Sequence, residues 1–545
     1  MVTVLEILQH FRRRVTGHGV RALFFGLTAV QAGAVWLHRS FPSQDGPVQL
    51  YYSDVLADLL RDGGRYSAYF RVNSHAPVYC FFNYALLLLN QMFSPLTSER
   101  ILVCLYVVAF SLGVRFLVHS VEPRNDWLPF FILPFAFNTY LYLGIYNYSF
   151  GIATLLFAMG VWLRAMPGWS GRASLLWLAL VMALCIMHQL ALVFLGLFIS
   201  GHLAAIFVGA CRAAGGGVWG RMRAGWQRIA RSVAMAVPLA IVMLWAASFA
   251  SSAIRKPVVS EHVDVAYRLR GLLQMVPLSP FSDPLYRYCL LLLVLLPLSL
   301  VAIRAVRASR MRGPAGAAAS SALGLTAVVA LAVFALGPRW FLGAGYFAPR
   351  MSVLFVVCCL LALAPLTLPR PLQRAVLAAA LCLMTPLAVI RYRQTSAIVN
   401  ALTPIYDARS LQEGGWGAIV SGQEEDVDGL TFNPYFWAGA HYARQSKAIL
   451  LNAPWIYGPL AVITPRAAHA WDGALPGTMR GILSSPGQRA AAPKLAFLCG
   501  GKWDPGRLEM ATSIPLKRDL GFVRVFESEV NYCDGRPGST TAATP

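Results

Sequence analysis

The sequence predicts an all-α polytopic membrane protein with about 11 transmembrane helices and a small C-terminal α/β exported domain. Hydrophobic residues make up 57% of the 545 residues, and charged residues only 13%, about half the share usual in a soluble domain. Many separate apolar runs approach the roughly 20 residues that a helix needs to cross a bilayer. Arginines cluster in the short stretches between these runs, as they do in loops that stay on the cytoplasmic side.

The formal net charge of +22 at pH 7 does not indicate a nucleic-acid partner. The arginines lie beside apolar runs, where anionic membrane lipid is the expected partner. The sequence has no P-loop, no dinucleotide-binding glycine fingerprint, no HExxH and no Cys/His spacing of a metal site. No cofactor and no metal site are therefore expected.

Twelve apolar runs are candidates for membrane spans, and the positive-inside rule favours eleven crossings. The basic loops fall on one side only if the run at 78–93 does not cross. That run is short, at about 16 residues, and contains Asn83 and Asn90. We predict a re-entrant or interfacial helix there. The runs lie near 22–39, 78–93, 101–119, 128–143, 148–163, 173–190, 191–209, 232–250, 286–303, 319–337, 351–368 and 372–390.

The same pattern divides the chain into three parts. Residues 1–390 form the predicted transmembrane domain, with an exported loop at 40–100 that carries interfacial helices. Residues 391–535 are rich in Gly, Pro, Trp and polar side chains and are numerous enough for a core of their own, which predicts an extracytoplasmic domain. The small polar residues of 536–545 predict a disordered tail.

The exported loop contains the acidic stretch that is most informative about chemistry, because carboxylates are costly near hydrocarbon. From Pro47 onward the stretch predicts an amphipathic helix that lies on the membrane, with Gly46 as its cap. Asp54, Asp58 and Asp62 fall one turn apart on one face. They form either a solvated face or, for Asp54, part of a substrate site.

Asp45 lies at the N-terminal end of that helix and has two interpretations. Its carboxylate would stabilise the helix N-terminus by about 0.3–1 kcal/mol. Alternatively, it is a general base that takes a proton from an acceptor hydroxyl beside the bilayer. A helix junction at the membrane surface would hold such a base close to its substrates.

Four short motifs resemble elements of one enzyme superfamily. Asp45-Gly-Pro-Val-Gln-Leu resembles a D-x-P-x-H-L start of the first exported loop, and Arg350 matches a frequent late arginine before an apolar helix. The other two motifs are Ser74-His-Ala-Pro-Val-Tyr79, which resembles H-P-P-L-Y, and Gly144-Ile-Tyr-Asn-Tyr-Ser-Phe-Gly151, which resembles G-x-x-N-F-x-x-G.

In this order the motifs resemble the GT-C superfamily of polyprenyl-phosphate-sugar glycosyltransferases, especially its divergent bacterial members. Two departures stand out. Gln49 replaces the family's histidine, and the second acid of the common Asp-Glu or Asp-Asp pair is absent beside Asp45.

The resemblance implies a multi-pass protein of the bacterial inner membrane that moves a sugar from a polyprenyl-phosphate donor to an envelope glycan, lipid or protein acceptor on the exported side. Asp45 would be the catalytic base. The substrate-binding residues would be Arg350, His75, His188, Tyr146, Asn147 and Asp54.

Each substrate-binding residue also has an ordinary structural interpretation. Arg350 would bind the lipid phosphate or extend to the membrane interface, and His188 would contact phosphate or sugar or be buried in the core. His75 would line the acceptor groove or cap an interfacial helix. Tyr146 and Asn147 would bind a sugar or belong to an aromatic belt. Two alternatives to an enzyme also remain, namely a lipid or glycan transporter and a non-catalytic envelope assembly protein.

Overall fold

The computed structural model describes most of the first 407 residues and short segments beyond them. The described residues are 4–61, 65–68, 70–72, 79–214, 217–253, 264–305, 314–338, 346–407, 418–421, 430–432, 434, 440–441, 444, 449–450, 463–465, 495–500, 516–519 and 523–528. These residues are predominantly α-helical, as the sequence predicts for an all-α membrane protein.

Fifteen α-helices occur in the described residues. They are α1 (Val4–Ala34), α2 (Gly46–Leu59), α3 (Phe81–Leu89), α4 (Pro95–Val121), α5 (Leu128–Ile132), α6 (Thr139–Tyr142), α7 (Tyr146–Ala165), α8 (Gly171–Met187), α9 (Gln189–Ala213), α10 (Val218–Ala253), α11 (Val265–Leu273), α12 (Pro284–Ala305), α13 (Pro314–Leu336), α14 (Phe347–Leu361) and α15 (Arg370–Asp407).

Among the described residues, seven helices are long and apolar enough to cross a bilayer. These spans are Gly19–Leu37, Pro95–Val121, Tyr146–Ala165, Gln189–Ala213, Val218–Ser248, Gly316–Leu336 and Arg370–Thr403. Four shorter apolar segments accompany them, at Leu128–Tyr142, Gly171–Met187, Pro284–Leu300 and Phe347–Leu361. The eleven crossings stay a prediction, because length and composition alone do not place the shorter segments across a membrane.

The apolar run at 128–143 is not the single helix that its hydrophobicity predicts. It forms α5, a 3-10 turn over Leu133–Phe137, and α6. Pro134 has no N–H to continue a helix. The Asn138 side chain then accepts hydrogen bonds from the backbone N–H groups of Tyr140 and Leu141, which starts a new helix. The break turns the chain back toward the acidic stretch.

The run at 78–93 contains only the nine-residue helix α3, which spans about half of a bilayer core at 1.5 Å per residue. Its polar residues pair with α2. The Asn83 amide donates to Gln49 Oε1 at 2.9 Å, and the Asn90 amide donates to Ser53 Oγ at 3.0 Å. The polar residues that shorten the apolar run therefore fix α3 against the acidic loop.

Helix α2 packs largely within the protein, with Asp54 and Asp58 half-buried, and its position on a membrane surface stays a prediction. Val48, Leu50, Tyr51 and Val55 are all fully buried, so apolar side chains cover most of its circumference. The polar groups that contact α2 come from α3 and from the C-terminal part. Because these groups are distant from α2 in sequence, the periodicity of α2 alone does not predict their contacts. Asp45, rather than Gly46, occupies the N-cap position.

The C-terminal part contains strands. β1 (Phe70–Val72) lies between α2 and α3; the others are β2 (Ala418–Ser421), β3 (Ile449–Leu450), β4 (Ile463–Pro465), β5 (Leu495–Gly500), β6 (Leu516–Asp519) and β7 (Val523–Ser528). Five form a sheet in the order β3-β2-β5-β7-β6, with β2 parallel to β3 and β5. Helix α15 continues through the predicted boundary at 390, and residues 536–545 lie outside the described residues.

The C-terminal part contacts the same end of the bundle as the acidic loop. β1 pairs antiparallel with β4. The Thr431 backbone N–H donates to the Pro280 carbonyl at 3.0 Å, and the Phe432 ring lies 5.2 Å from the ring of Tyr142. Because these contacts include backbone hydrogen bonds, the segment that contains β1 and the C-terminal part lie against the same end of the helical bundle.

This pairing predicts an engineered disulfide between positions 71 and 464, which are directly opposite in the β1–β4 ladder. Paired Cα atoms in an antiparallel ladder are about 4.5–5.5 Å apart, which suits a disulfide. We expect Arg71→Cys with Thr464→Cys to cross-link on mild oxidation, detected by mass spectrometry of the linked peptide. Arg71→Cys with Ser528→Cys, a position in the five-stranded sheet, is the control. Equal cross-linking of the two pairs would contradict the observed register.

Candidate functional site

Backbone contacts with the turn before α7 hold Asp45 in place. The Gln44 N–H donates to the Tyr142 carbonyl at 2.8 Å, and the Asp45 N–H donates to the Leu143 carbonyl at 3.2 Å. Gly144 has φ +76°, and a Cβ there would come within 2.9 Å of the Asp45 nitrogen. Only glycine accommodates both this conformation and this approach. The chain therefore folds two sequence-distant turns tightly together around the Asp45 carboxylate, which is buried.

A second carboxylate, that of Glu99, lies beside the same turn. It is buried at the start of α4, where Glu99 Oε1 accepts a hydrogen bond from the Tyr146 hydroxyl at 2.6 Å. The Ser43 hydroxyl lies 2.7 Å from the Tyr146 hydroxyl. The Glu99 carboxylate and Ser43 hydroxyl leave no room for a Cβ on Gly46, the residue next to Asp45.

Glu99 is not among the site residues predicted from the sequence, and the local Asp-Glu or Asp-Asp pair remains absent beside Asp45. The two acids are 54 positions apart, so no local motif joins them. The available signal was a lone acid in the first turns of an apolar helix, next to Arg100. Such a carboxylate is costly to bury and therefore indicates a specific partner.

Arg350 and His188 form a second buried cluster. Arg350 lies in the first turn of α14 and His188 between α8 and α9, and both are nearly inaccessible, at 4% and 2% exposed. Arg350 Nη1 lies 3.2 Å from His188 Nε2. The Tyr148 hydroxyl donates to the Arg350 carbonyl, and its ring lies 5.9 Å from the guanidinium. A guanidinium buried this deeply needs anionic or aromatic neighbours.

The protonation of His188 follows from this geometry. Burial and then the charge of Arg350 hold the pKa of His188 well below its usual range, so the ring is neutral near pH 7. A neutral ring that accepts from Arg350 through Nε2 carries its hydrogen on Nδ1. Within the described residues, neither His188 Nδ1 nor Arg350 Nε has a hydrogen-bond partner. These are two buried donors without an acceptor, an arrangement that suits an anion.

Tyr79 closes this cluster from the acidic loop. Its ring stands edge-on to His188 at 4.8 Å, and burial raises the pKa of its hydroxyl to about 12, so the hydroxyl stays protonated. Tyr79 has φ 59°, a conformation that is uncommon for a bulky residue. Such strain persists only where surrounding contacts enforce it, and it is concentrated at functional sites.

The Asp45 carboxylate is close enough to act electrostatically on both the Arg350 guanidinium and the Tyr146 hydroxyl. The acidic turn and the buried arginine are therefore electrostatically coupled, and the groups involved come from the segment before α2, from α7 and from α14.

Of the remaining predicted site residues, Tyr146 and Asn147 have identified hydrogen-bond partners. Tyr146 donates to Glu99, and the Asn147 amide donates to the Tyr79 carbonyl at 2.6 Å while its oxygen accepts from the Phe82 N–H at 2.9 Å. Asn147 thus fixes the start of α3. His75 lies outside the described residues. A direct role of Tyr146 and Asn147 in substrate binding stays a prediction.

Asp54 faces the C-terminal part. Asp54 Oδ2 lies 3.8 Å from Arg444 Nη1. Burial raises the pKa of Asp54, and the charge of Arg444 opposes this effect. Arg444 also acts electrostatically on Glu99. The C-terminal part therefore supplies a cation to the acidic side of the site.

No group of three or more His, Cys, Asp or Glu side chains in the described residues has the geometry of a metal site. Searches for relatives do not assign a family, since no protein-family model and no curated protein matches this sequence.

Gly144→Ala should disturb the turn that holds Asp45, because the positive φ and the approach to the Asp45 nitrogen both exclude a Cβ. We expect a loss of about 1–3 kcal/mol of stability, measured as a lower thermal midpoint of the purified protein. Gly168→Ala is the control, because no described atom lies within 4 Å of a Cβ built there. An equal effect of the two substitutions would contradict the proposed turn.

The Glu99–Tyr146 hydrogen bond predicts non-additive losses of stability. Glu99→Ala removes the carboxylate acceptor of the buried Tyr146 hydroxyl, leaving only Ser43 beside it, and should cost about 1–3 kcal/mol, whereas Glu99→Gln keeps an acceptor and should cost less. Tyr146→Phe combined with Glu99→Ala should cost clearly less than the sum of the single changes. Additive losses in thermal unfolding would argue against a direct contact.

Proposed function

We propose that this protein is a GT-C-like glycosyltransferase of a bacterial inner membrane. It moves a sugar from a polyprenyl-phosphate donor to an envelope glycan, lipid or protein acceptor on the exported side. The observation that carries this proposal is the pairing of a buried carboxylate, Asp45, with two buried donors that lack partners within the described residues, Arg350 Nε and His188 Nδ1.

The proposed chemistry assigns one role to each side of the site. Asp45 accepts the proton of the acceptor hydroxyl as that oxygen forms a bond to the anomeric carbon of the sugar. The bond between this carbon and the phosphate oxygen breaks, and its electron pair leaves on the phosphate. Arg350 and His188 donate hydrogen bonds to the phosphate, whose negative charge increases in this step.

Glu99 fixes the surroundings of the proposed base, Asp45, and Arg444 adds a positive charge that acts on Glu99. The Glu99 carboxylate fixes Tyr146 and Ser43, whose contacts adjoin the turn of Asp45. The positive charge of Arg444 acts on the Glu99 carboxylate.

The location of the charges favours transfer at the membrane surface over transport through the bundle. Arg350 lies in the first turn of α14, Glu99 in the first turns of α4, and Asp45 before α2. A transporter is expected to carry its site near the bilayer midplane, between broken helices. A non-catalytic assembly protein would need neither the base nor the unpartnered donors.

Asp45→Asn tests the base. We expect it to slow sugar transfer by about 10²–10⁴-fold in membrane vesicles supplied with radiolabelled polyprenyl-phosphate sugars. Asp58→Asn is the matched control, since Asp58 lies on the same helix and bonds the Tyr66 backbone N–H. Full activity of Asp45→Asn would remove the base assignment.

Arg350→Gln tests the phosphate contact separately. We expect weaker binding of the polyprenyl-phosphate sugar, because the Nε donor is lost, whereas Asp45→Asn should leave donor binding nearly unchanged. Native mass spectrometry of the purified protein with added donor measures this binding. Equal donor binding by wild type and Arg350→Gln would refute the role of Arg350.

A further inference from the structure

A groove of about 520 Å³ runs between α1 and α15. Its walls include the apolar side chains of Val30, Phe137 and Val389, and its rim carries Arg391 and Arg393. The volume lies within the roughly 300–1,000 Å³ typical of ligand pockets. None of these residues belongs to the site of Asp45 and Arg350.

The apolar and polar parts of the groove meet at the same height along α1 and α15. The apolar span of α1 ends at Leu37, and the ring of the next residue, His38, stacks on Tyr392 at 5.3 Å. In α15 the two arginines flank this tyrosine. Tyrosine and arginine at the end of an apolar span are typical of the interface between hydrocarbon and lipid headgroups. The apolar part of the groove therefore lies at acyl-chain depth, and its rim lies at headgroup depth.

The rim is positively charged. The Arg391 guanidinium lies 3.8 Å from the centroid of the Phe137 ring, and Arg393 is exposed. Within the described part of the chain, no carboxylate forms an ion pair with either arginine. Burial lowers the pKa of His38, so the positive charge comes from the two guanidinium groups.

The floor of the groove has space because its residues are small. Gly33 and Ala34 line it. A Cβ built on Gly33 would meet no heavy atom of the described residues within 4 Å. A larger side chain at this position would therefore occupy the groove without a clash against the helices that form it.

We propose that this groove binds one anionic phospholipid, with an acyl chain between α1 and α15 and its phosphate at the basic rim that carries Arg391 and Arg393. Guanidinium groups bind phosphate oxygens through paired hydrogen bonds, and the apolar walls match a hydrocarbon chain. A free phosphate ion would leave these walls without a ligand. A zwitterionic headgroup would bring a second positive charge toward the two arginines.

The lipid site adjoins the turn of the proposed catalytic base without depending on the proposed reaction. Tyr142 lines the groove, and its carbonyl accepts the hydrogen bond from Gln44 that positions Asp45. Phe41 and Pro42 also line the groove. A bound lipid therefore packs against the segment that leads to the site.

Native mass spectrometry of the full-length protein in detergent tests this proposal. Phosphatidylglycerol, phosphatidylcholine with the same chains, and inorganic phosphate would be titrated separately. We expect a single tight phosphatidylglycerol, with weaker phosphatidylcholine and no phosphate binding. Arg391→Gln with Arg393→Gln should weaken phosphatidylglycerol binding by at least about tenfold. The matched control is Arg221→Gln with Arg223→Gln, an exposed pair with the same spacing on α10.

Gly33→Leu tests the groove without changing charge. It should abolish tight phosphatidylglycerol binding by filling the space, while Gly26→Leu should not. Gly26 is a suitable control because it lies on the same helix, has no described atom within 4 Å of a Cβ, and does not line the groove. Equal binding of the two lipids would overturn the proposal, as would unchanged binding in Gly33→Leu or an equal loss in both arginine pairs. Phosphate binding at the rim without lipid would also overturn it.

Discussion

The site depends on the backbone contact between residues 44–45 and 142–143. These hydrogen bonds, and the approach that Gly144 allows, join the segment before α2 to the turn before α7. Every charged group of the site is positioned relative to this contact: Glu99 through Tyr146, and Arg350 through Tyr148 on the same helix. Backbone contacts suit this purpose because they hold atoms more rigidly than long side chains do.

The burial of its charged groups determines how strongly the site can interact with a charged ligand. Asp45, Glu99 and Arg350 are all nearly inaccessible to solvent. Removing these groups from water is costly, and their mutual attraction offsets that cost only with good geometry and additional hydrogen bonds. The same low dielectric strengthens the interaction of the site with a charged ligand. Packed aromatic rings, including those of Tyr79, Phe82 and Tyr148, lie beside these groups.

The sequence predicts the features that depend on composition and local pattern, and it misses those that depend on distant contacts. The apolar runs predict the membrane class, and the polar Asn83 and Asn90 predict a short helix that does not cross. The partial burial of the α2 face is not predictable from local pattern, because its covering groups come from α3 and from residues near Arg444. The role of Glu99 is not predictable from local pattern either, since its partners Ser43 and Tyr146 lie 56 and 47 positions away in sequence.

The pairing of β1 with β4 has a consequence for biosynthesis. Residues 70–72 leave the ribosome almost four hundred residues before their partners at 463–465. During that interval the helices insert into the bilayer while the first loop lacks its partner strand. The β1–β4 pair can form only after residues 463–465 have been synthesised, so these contacts with the segment before α3 are made late in synthesis. Until then, a nascent chain holds its buried acids without the full enclosure that the finished protein provides.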